Sequence, residues 1–246
     1  MNRQKNFYNR VGKEIGWDFS HLNSRLEGNK RNFYSLVKDQ LSKESLLLDL
    51  GTGGGKKVLS LSNSCVMVMG IDNSEEMVKK AKENASEAGV ANSRFFHMDA
   101  DELKFPDSLF DFVSCRQAAF NPYEVFRVLK KRGVFMTQQV SPDDKEKLKK
   151  TFGRGQDYDL SLAFFKEEIK EKLLSAGFKD IKLDHYRVKE YFQDLEDLKF
   201  LLKNTPIIED FGLEGDLELL QSFVDENRTD KGIVTLTCRV IVSCHK

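Results

Sequence analysis

Ten residues, Leu46-Leu47-Leu48-Asp49-Leu50-Gly51-Thr52-Gly53-Gly54-Gly55, restrict the fold more than any other part of the chain. A short apolar run bounded by turn residues predicts a buried strand. Glycines at every second position after it predict a tight turn in which backbone rather than side chain meets whatever approaches. The segment from Lys56 to Ser62 reads as a helix. A strand, a glycine turn and a helix start make a corner suited to nucleotide-like ligands. A phosphate loop needs G-x-x-x-x-G-K-[ST]; Leu50 stands where its first Gly belongs and Lys57 where its Ser or Thr belongs. A dinucleotide loop needs G-x-G-x-x-G, and Lys56 takes the third glycine's place. The pattern that fits throughout is D-x-G-x-G-x-G, carried by Asp49, Gly51, Gly53 and Gly55.

Two further strand ends follow in order. Val66–Ile71 reads as a strand ending at Asp72, about 20 residues beyond the turn, where an acid can accept from both hydroxyls of a ribose. Asn73 and Glu76 have capping-box spacing, and the helix they open, which carries Met77, runs to about Ala85. Arg94–Met98 reads as the next strand, ending at Asp99-Ala100. Acids after strands also serve as ordinary turn and cap residues. Three signals in order at successive strand ends favour one shared site.

This succession resembles the class I S-adenosylmethionine (SAM) methyltransferases. Phe110–Cys115, Glu124–Lys130 and Gly133–Thr137 match that family's fourth strand, the helix after it and its fifth strand, although Lys130-Lys131-Arg132-Gly133 stands where the family commonly has Lys-Pro-Gly-Gly. The resemblance implies a role for each motif residue. Gly51, Thr52, Gly53 and Gly55 would pass close to the amino acid portion of SAM, and Asp49 would shape the turn and reach the methionine amine through water. Asp72, with Asn73 and Met77 beside it, would hold the ribose, and Asp99 with Ala100 the adenine. Arg116 and Gln117, directly after the fourth strand, would lie beside the methionine moiety.

The implied fold is α/β: a Rossmann-like, seven-stranded, mostly parallel sheet with helices on both faces and a reversed last strand. All 246 residues would form one methyltransferase domain. Residues 45–140 alternate strand and helix five times. Residues 1–44 read as a helical cap with aromatics at Phe7, Tyr8, Trp17, Phe19, Phe33 and Tyr34. Residues 141–161 read as a mobile polar loop, Phe165–Ala176 as a helix closed by Gly177, and Asp180–Val188 as a strand. Residues 194–227 form an insertion over the active site, with helices near Leu195–Lys203 and Leu217–Val224. Gly232–Ser243 is the last strand.

Charge narrows the acceptor. The chain is formally neutral, and residues 189–230 carry twelve acids against four bases, a local net of −8. That surface repels phosphate backbones, which argues for a small-molecule acceptor and against nucleic acid. Residues 1–44, with nine bases and five acids, are mildly positive. No apolar run reaches the ~20 residues a bilayer span needs, and the basic N-terminus lacks the apolar stretch of a signal peptide. Cys65, Cys115, Cys238 and Cys244 show no metal-ligand spacing; with Cys65, Cys115 and Cys238 in predicted strands, they read as buried thiols in a reducing cytoplasm, and no metal is expected.

Methyl transfer from a sulfonium is an in-line displacement from an already activated donor. Positioning alone can supply ~7–11 kcal/mol, so the chain need not display a catalytic base. His185, on the sixth strand, is the best-placed candidate for one; His97 reads as a packed core residue. Asn121-Pro122-Tyr123 reads as a helix start, with Asn121 as the cap, Pro122 at the first helical position and Glu124 at the third. An RNA methyltransferase and a non-enzymatic SAM-binding protein are the alternatives. Oligomeric state is not legible in the sequence.

Overall fold

The computed structural model describes Arg10, Val11, Phe19, residues 21–28 and residues 31–246. Phe7, Tyr8 and Trp17 lie outside these residues.

The strands are β1 (Ser24–Glu27), β2 (Leu46–Leu50), β3 (Met67–Asp72), β4 (Ser93–His97), β5 (Phe110–Arg116), β6 (Leu129–Val140), β7 (Lys179–Phe192), β8 (Arg228–Thr229) and β9 (Gly232–His245). They form one sheet in the order β1-β7-β9-β6-β5-β2-β3-β4, with β8 paired to β9. The strands from β2 to β6 are parallel to one another, and β9 is antiparallel to both β6 and β7. The parallel sheet and reversed last strand are as expected, but the described strands number nine rather than seven. The added pieces are β1, in a segment read as helical, and the short β8.

The helices are α1 (Phe33–Lys38), α2 (Lys56–Leu59), α3 (Glu75–Glu87), α4 (Pro122–Val128), α5 (Glu146–Phe152), α6 (Leu162–Ser175), α7 (Leu195–Asn204) and α8 (Asp216–Asn227). Side chains alternate along β2, so Leu48 and Leu50 face one layer and Leu47 the other. Leu48 and Leu50 pack with Val125 and Val128 of α4 and Ile169 and Leu173 of α6. Leu47 packs with Phe33 and Val37 of α1, Val58 of α2, and Val78 and Ala81 of α3. Helix α3 shows why its sequence is helical. Ser74 caps it by accepting from the Met77 N–H, Glu75 and Glu76 sit in its first turn, and Met77, Val78, Ala81, Asn84 and Ala85 bury one stripe.

A third apolar cluster stands apart from these two layers. Beta7 and β9 pair from Lys179↔His245 to Phe192↔Ile233, whereas β6 meets β9 only from Val134↔His245 to Val140↔Arg239. The far half of the β7–β9 ladder therefore projects past the end of β6. Its Phe192 and Ile233 pack with Leu148 and Phe152 of α5, Leu198 and Leu202 of α7, and Leu220, Phe223 and Val224 of α8. Arg154 reaches the Asp216 carboxylate through both oxygens at 2.8 Å and pins the start of α8.

Several expectations need correction. Residues 141–161 are not a polar loop throughout, because Leu148 and Phe152 bury one side of α5. The alternation of strand and helix is incomplete, since no helix lies between β4 and β5. Lys130–Gly133 does not simply precede the fifth strand. It belongs to a bulged β6, whose register against β5 jumps between Phe110↔Leu129 and Phe112↔Val134. Ser74, not Asn73, caps α3, since it is the Ser74 side chain that accepts from the helix. Cys65 lies just before β3 rather than in it. His97 is exposed at the end of β4, with Nε2 3.1 Å from the Asn73 carbonyl oxygen.

Candidate active site at the strand tips

The carboxyl ends of β2, β3 and β5 are tied to one another directly. The Gly53 N–H donates to Asp72 Oδ2 at 2.9 Å, joining the glycine turn to the tip of β3. The Thr52 N–H donates to the Ile71 carbonyl at 2.9 Å, and the Met98 N–H to the Asp72 carbonyl at 3.0 Å. Ser114 Oγ donates to Asp49 Oδ1 at 2.5 Å, joining β5 to β2. Tyr34 of α1 donates its hydroxyl to Asp49 Oδ2 at 3.4 Å from the layer beside the sheet.

The three alternating glycines do different jobs. Gly51 has φ +66, and a Cβ there would come within 2.3 Å of the Ala118 Cβ in the β5 exit loop. A Cβ at Gly55 would meet Ala81 of α3 and Phe95 of β4 at 3.0 and 3.1 Å. Gly53 has φ +54, and a Cβ there would have nothing within 4 Å. Gly51 and Gly55 therefore let protein pack on the turn, and Gly53 leaves its own face uncovered.

Asp49 is 1% exposed. Burial pushes its carboxyl up to about 6, and hydrogen bonds from Ser114 and Tyr34 hold it back only in part. Its hydrogen-bond donors are neutral, and Arg116 acts on it electrostatically. Thr52 lies near enough to favour the charged carboxylate, yet its buried Oγ1 completes no hydrogen bond of good geometry. Burial also raises the Asp72 carboxyl, against the amides of Ser74 and Gly53, which favour its charged form. Each Asp72 oxygen accepts one amide, Ser74 N–H at Oδ1 and Gly53 N–H at Oδ2, and so keeps a free lone pair for a hydroxyl.

The remaining predicted residues divide. Arg116 and Gln117 are exposed at the β5 tip. Gln117 holds φ +56, and its N–H donates to the Gln138 carbonyl at 2.7 Å. A left-handed non-glycine residue is a local strain of the kind found at functional sites. Met77 is buried at 3% exposure. Asp99 is exposed, and its Oδ1 accepts from the Asp101 N–H at 2.9 Å, closing its own turn; Ala100 packs partly against the apolar core. Asn121 Oδ1 accepts from the Tyr123 N–H at 3.0 Å with Pro122 next in the helix, so it caps α4. His185 Nε2 is 3.1 Å from Asp143 Oδ1, and Arg187 donates to the other oxygen of that carboxylate at 2.6 Å.

Sequence reasoning missed Ser114, Tyr34 and Gln138. Ser114 had a signal: a hydroxyl inside the apolar run Phe110–Cys115 must find a buried partner. Tyr34 and Gln138 had none: Tyr34 reads as one more packing aromatic, and Gln138 takes part through its backbone carbonyl, which accepts from the Gln117 N–H. Two surface depressions lie elsewhere. One is on the outer face of α8 and the other between α4 and α6, and neither is lined by a strand-tip residue.

The open face at Gly53, the incompletely bonded Thr52 hydroxyl, the spare acceptor capacity of Asp72 and the buried acid Asp49 together fit an adenosyl ligand with a cationic amine. Comparison with known proteins agrees. A family profile described as a methyltransferase domain matches residues 41–177. YcgJ of Bacillus subtilis (strain 168), an uncharacterized methyltransferase, is 38% identical over 109 residues, 41% of this chain and 43% of that protein. The alignable stretch thus spans under half the length of that relative. The crystal structure of YcgJ superposes with a TM-score of 0.63 at 22% identity, over 87% of this chain and 97% of that one. A functionally unknown protein from Deinococcus radiodurans R1 superposes with a TM-score of 0.67 at 16% identity, over 96% and 97% of the two chains. At such identities these two structures speak for the fold alone.

Proposed function

Because this chain belongs to the class I SAM-dependent methyltransferase family, we propose that it transfers a methyl group from SAM to a small-molecule acceptor. The carrying observation is the bond from the Gly53 amide to Asp72 at 2.9 Å. It makes the first two strand tips one surface, with the open glycine face on one side and an acceptor-rich carboxylate on the other.

SAM, when bound, supplies a methyl group already activated by its sulfonium charge. The residues of this chain have to bind, orient and exclude water. Asp72 accepts ribose hydroxyls at the lone pairs its amide partners leave free. Asp49 offers a buried negative charge to the methionine amine, directly or through water, and Thr52 offers a hydroxyl beside it. Asp99 and Ala100 border the adenine end, and Asn73 and Met77 the ribose end. Arg116 and Gln117 stand at the methionine end, where Arg116 can pair with a carboxylate. The acceptor enters from the side of the β7–β9 extension and the helices packed on it. In-line positioning is sufficient chemistry for an acceptor that is deprotonated at neutral pH.

A small-molecule acceptor is favoured over RNA by charge. The net of −8 across residues 189–230 falls on the extension and its helices, and a polyanion brought there would be repelled. No helix among the described residues is long and apolar enough to cross a membrane.

Calorimetric titration of SAM against wild type and D72A tests the cofactor site. A loss of ~10-fold or more is expected, since 1.4 kcal/mol is tenfold in affinity; equal affinity refutes the assignment. Incubation with radiolabelled SAM and either a metabolite extract or total RNA tests the acceptor. Label in the small-molecule fraction supports the proposal, and salt-sensitive labelling of RNA overturns it.

A further inference from the structure

Asp143, His185 and Cys238 are far apart in sequence and on three different pieces of the fold: the loop leaving β6, strand β7 and strand β9. The carboxylate, imidazole and thiol ligand atoms all lie within 4.8 Å of one another. We infer that these three residues form a binding site for a transition-metal dication of the Zn2+ class.

The donor set selects the ion. One thiol, one imidazole and one carboxylate suit a borderline-soft cation such as Zn2+ and not the all-oxygen preference of Mg2+ or Ca2+. Tetrahedral ligands with bonds of ~2.0–2.3 Å sit about 3–4 Å apart. The widest pair, at up to 4.8 Å, therefore needs to contract by about 1–2 Å. Three protein ligands leave a fourth position for water or another small ligand.

The cluster is held in place before any ion arrives. The Ser141 N–H donates to the Cys238 carbonyl at 3.2 Å, and the Lys145 N–H to the Leu236 carbonyl at 2.9 Å. Between them, Asp144 Oδ1 accepts the Cys238 N–H at 2.7 Å. The Asp143 loop is thus laced along β9, opposite the strand that carries Cys238's cross-strand neighbour Arg187. Arg187 donates to Asp143 Oδ2 at 2.6 Å, the kind of outer partner that orients a ligating carboxylate. The Arg187 side chain is 56% exposed, so its charge stays in water. Ser141 Oγ also bonds Asp143 Oδ1 and would yield to the ion. Cys238 is fully buried, and the His185 and Asp143 side chains are 13% and 12% exposed. That leaves an approach without leaving the ligands in bulk solvent. Sequence spacing gives no hint of the site because only the pairing of β7 with β9 assembles it. A bound ion would fasten the loop leaving the β6 tip to the ladder beside the crevice.

The test uses the full chain, stripped with a chelator. Co2+ is titrated in and followed by the thiolate-to-metal absorption in the near ultraviolet, then displaced with Zn2+. One Co2+ per chain, an absorption band and displacement by Zn2+ are expected, together with a Tm that rises with Zn2+ in wild type and not in C238S. R187Q should weaken Zn2+ binding ~10–100-fold, as loss of an outer partner does, and C238S, H185Q and D143N should weaken it further. Absence of the band in wild type overturns the inference. If C238S does not fold, D143N and H185Q carry the test, and Zn2+ affinity unchanged in both overturns it.

Discussion

Two loops leave the tips of parallel strands in this molecule, and they are built in opposite ways. The turn after β2 is made by backbone: three left-handed glycines, with a single buried acid at its base. The loop after β6, residues 141–145, is made by side-chain charge. Asp143 pairs with Arg187, Asp144 with Arg239 and Lys145 with Glu190. Lys145 even holds φ +48, a conformation the first loop reserves for glycine. A glycine turn leaves its surface open for a ligand, whereas a charge-built loop fills its own surroundings and holds a neighbouring ladder still. The first loop is the candidate binding surface and the second is its frame.

The largest expected effect breaks the frame. The Lys145 side chain is 3% exposed, and its ammonium is 2.8 Å from Glu190. K145M would strand a buried carboxylate and cost about 3–5 kcal/mol, read by urea denaturation. Burial raises the Glu190 carboxyl, but the Lys145 charge and the hydrogen bonds from Lys145, Thr237 and Ser24 outweigh it and bring it down to about 2. A depressed carboxyl stabilises the fold above its unfolded value, and that stabilisation is lost as pH falls from 4.5 towards 2. The gap between wild type and E190Q should therefore be widest above pH 4.5 and close near pH 2.

The next effect separates two glycines of one turn. G51A adds a left-handed penalty of roughly 1–2 kcal/mol to an overpacking cost of about 1–3 kcal/mol against Ala118. G53A incurs only the first, roughly 1–2 kcal/mol, because its Cβ meets nothing. G53A should nevertheless lower SAM affinity ~10-fold or more, the equivalent of 1.4 kcal/mol. Equal stabilities for the two variants would erase the distinction drawn between them.

Asp49 sharpens the comparison from the binding side. Its carboxyl is raised to about 6 from 3.8, so its contribution to stability is full below pH 3.8 and is lost as pH rises through 6. Apo D49N should be at least as stable as wild type at pH 7.5, the difference closing towards pH 4, while its SAM affinity falls. A thermal-shift series across pH, with and without SAM, reads both. N121A is the smallest. It should cost about 1 kcal/mol as a lost helix cap and leave kcat within about twofold, consistent with a ~0.4 kcal/mol change in barrier. A large fall in kcat with stability unchanged would give Asn121 a role in the reaction instead.

The legible part of the site was the local part. Leu46–Leu50 and the glycines after it announced a buried strand and a left-handed turn, because apolar runs and positive φ depend on a residue and its immediate neighbours. Asp72 was legible by its distance from the turn. Asn73 and Ser74 both have cap chemistry, so sequence alone does not separate them, and it is the Ser74 side chain that accepts from the Met77 N–H. Residues 141–161 were misjudged because Leu148 and Phe152 are buried by helices more than 40 residues downstream.

By itself, then, the sequence determined the parallel core, the reversed final strand, the glycine turn after β2 and the acid that ends β3. Tertiary structure decided which glycine faces outward, that Ser114 and Tyr34 hold Asp49, and that Asp143, His185 and Cys238 meet. The physical reason is register. Asp144 and Cys238 are 94 residues apart in sequence, and a slip of one residue between β7 and β9 would put Cys238 on the face opposite His185 and Arg187.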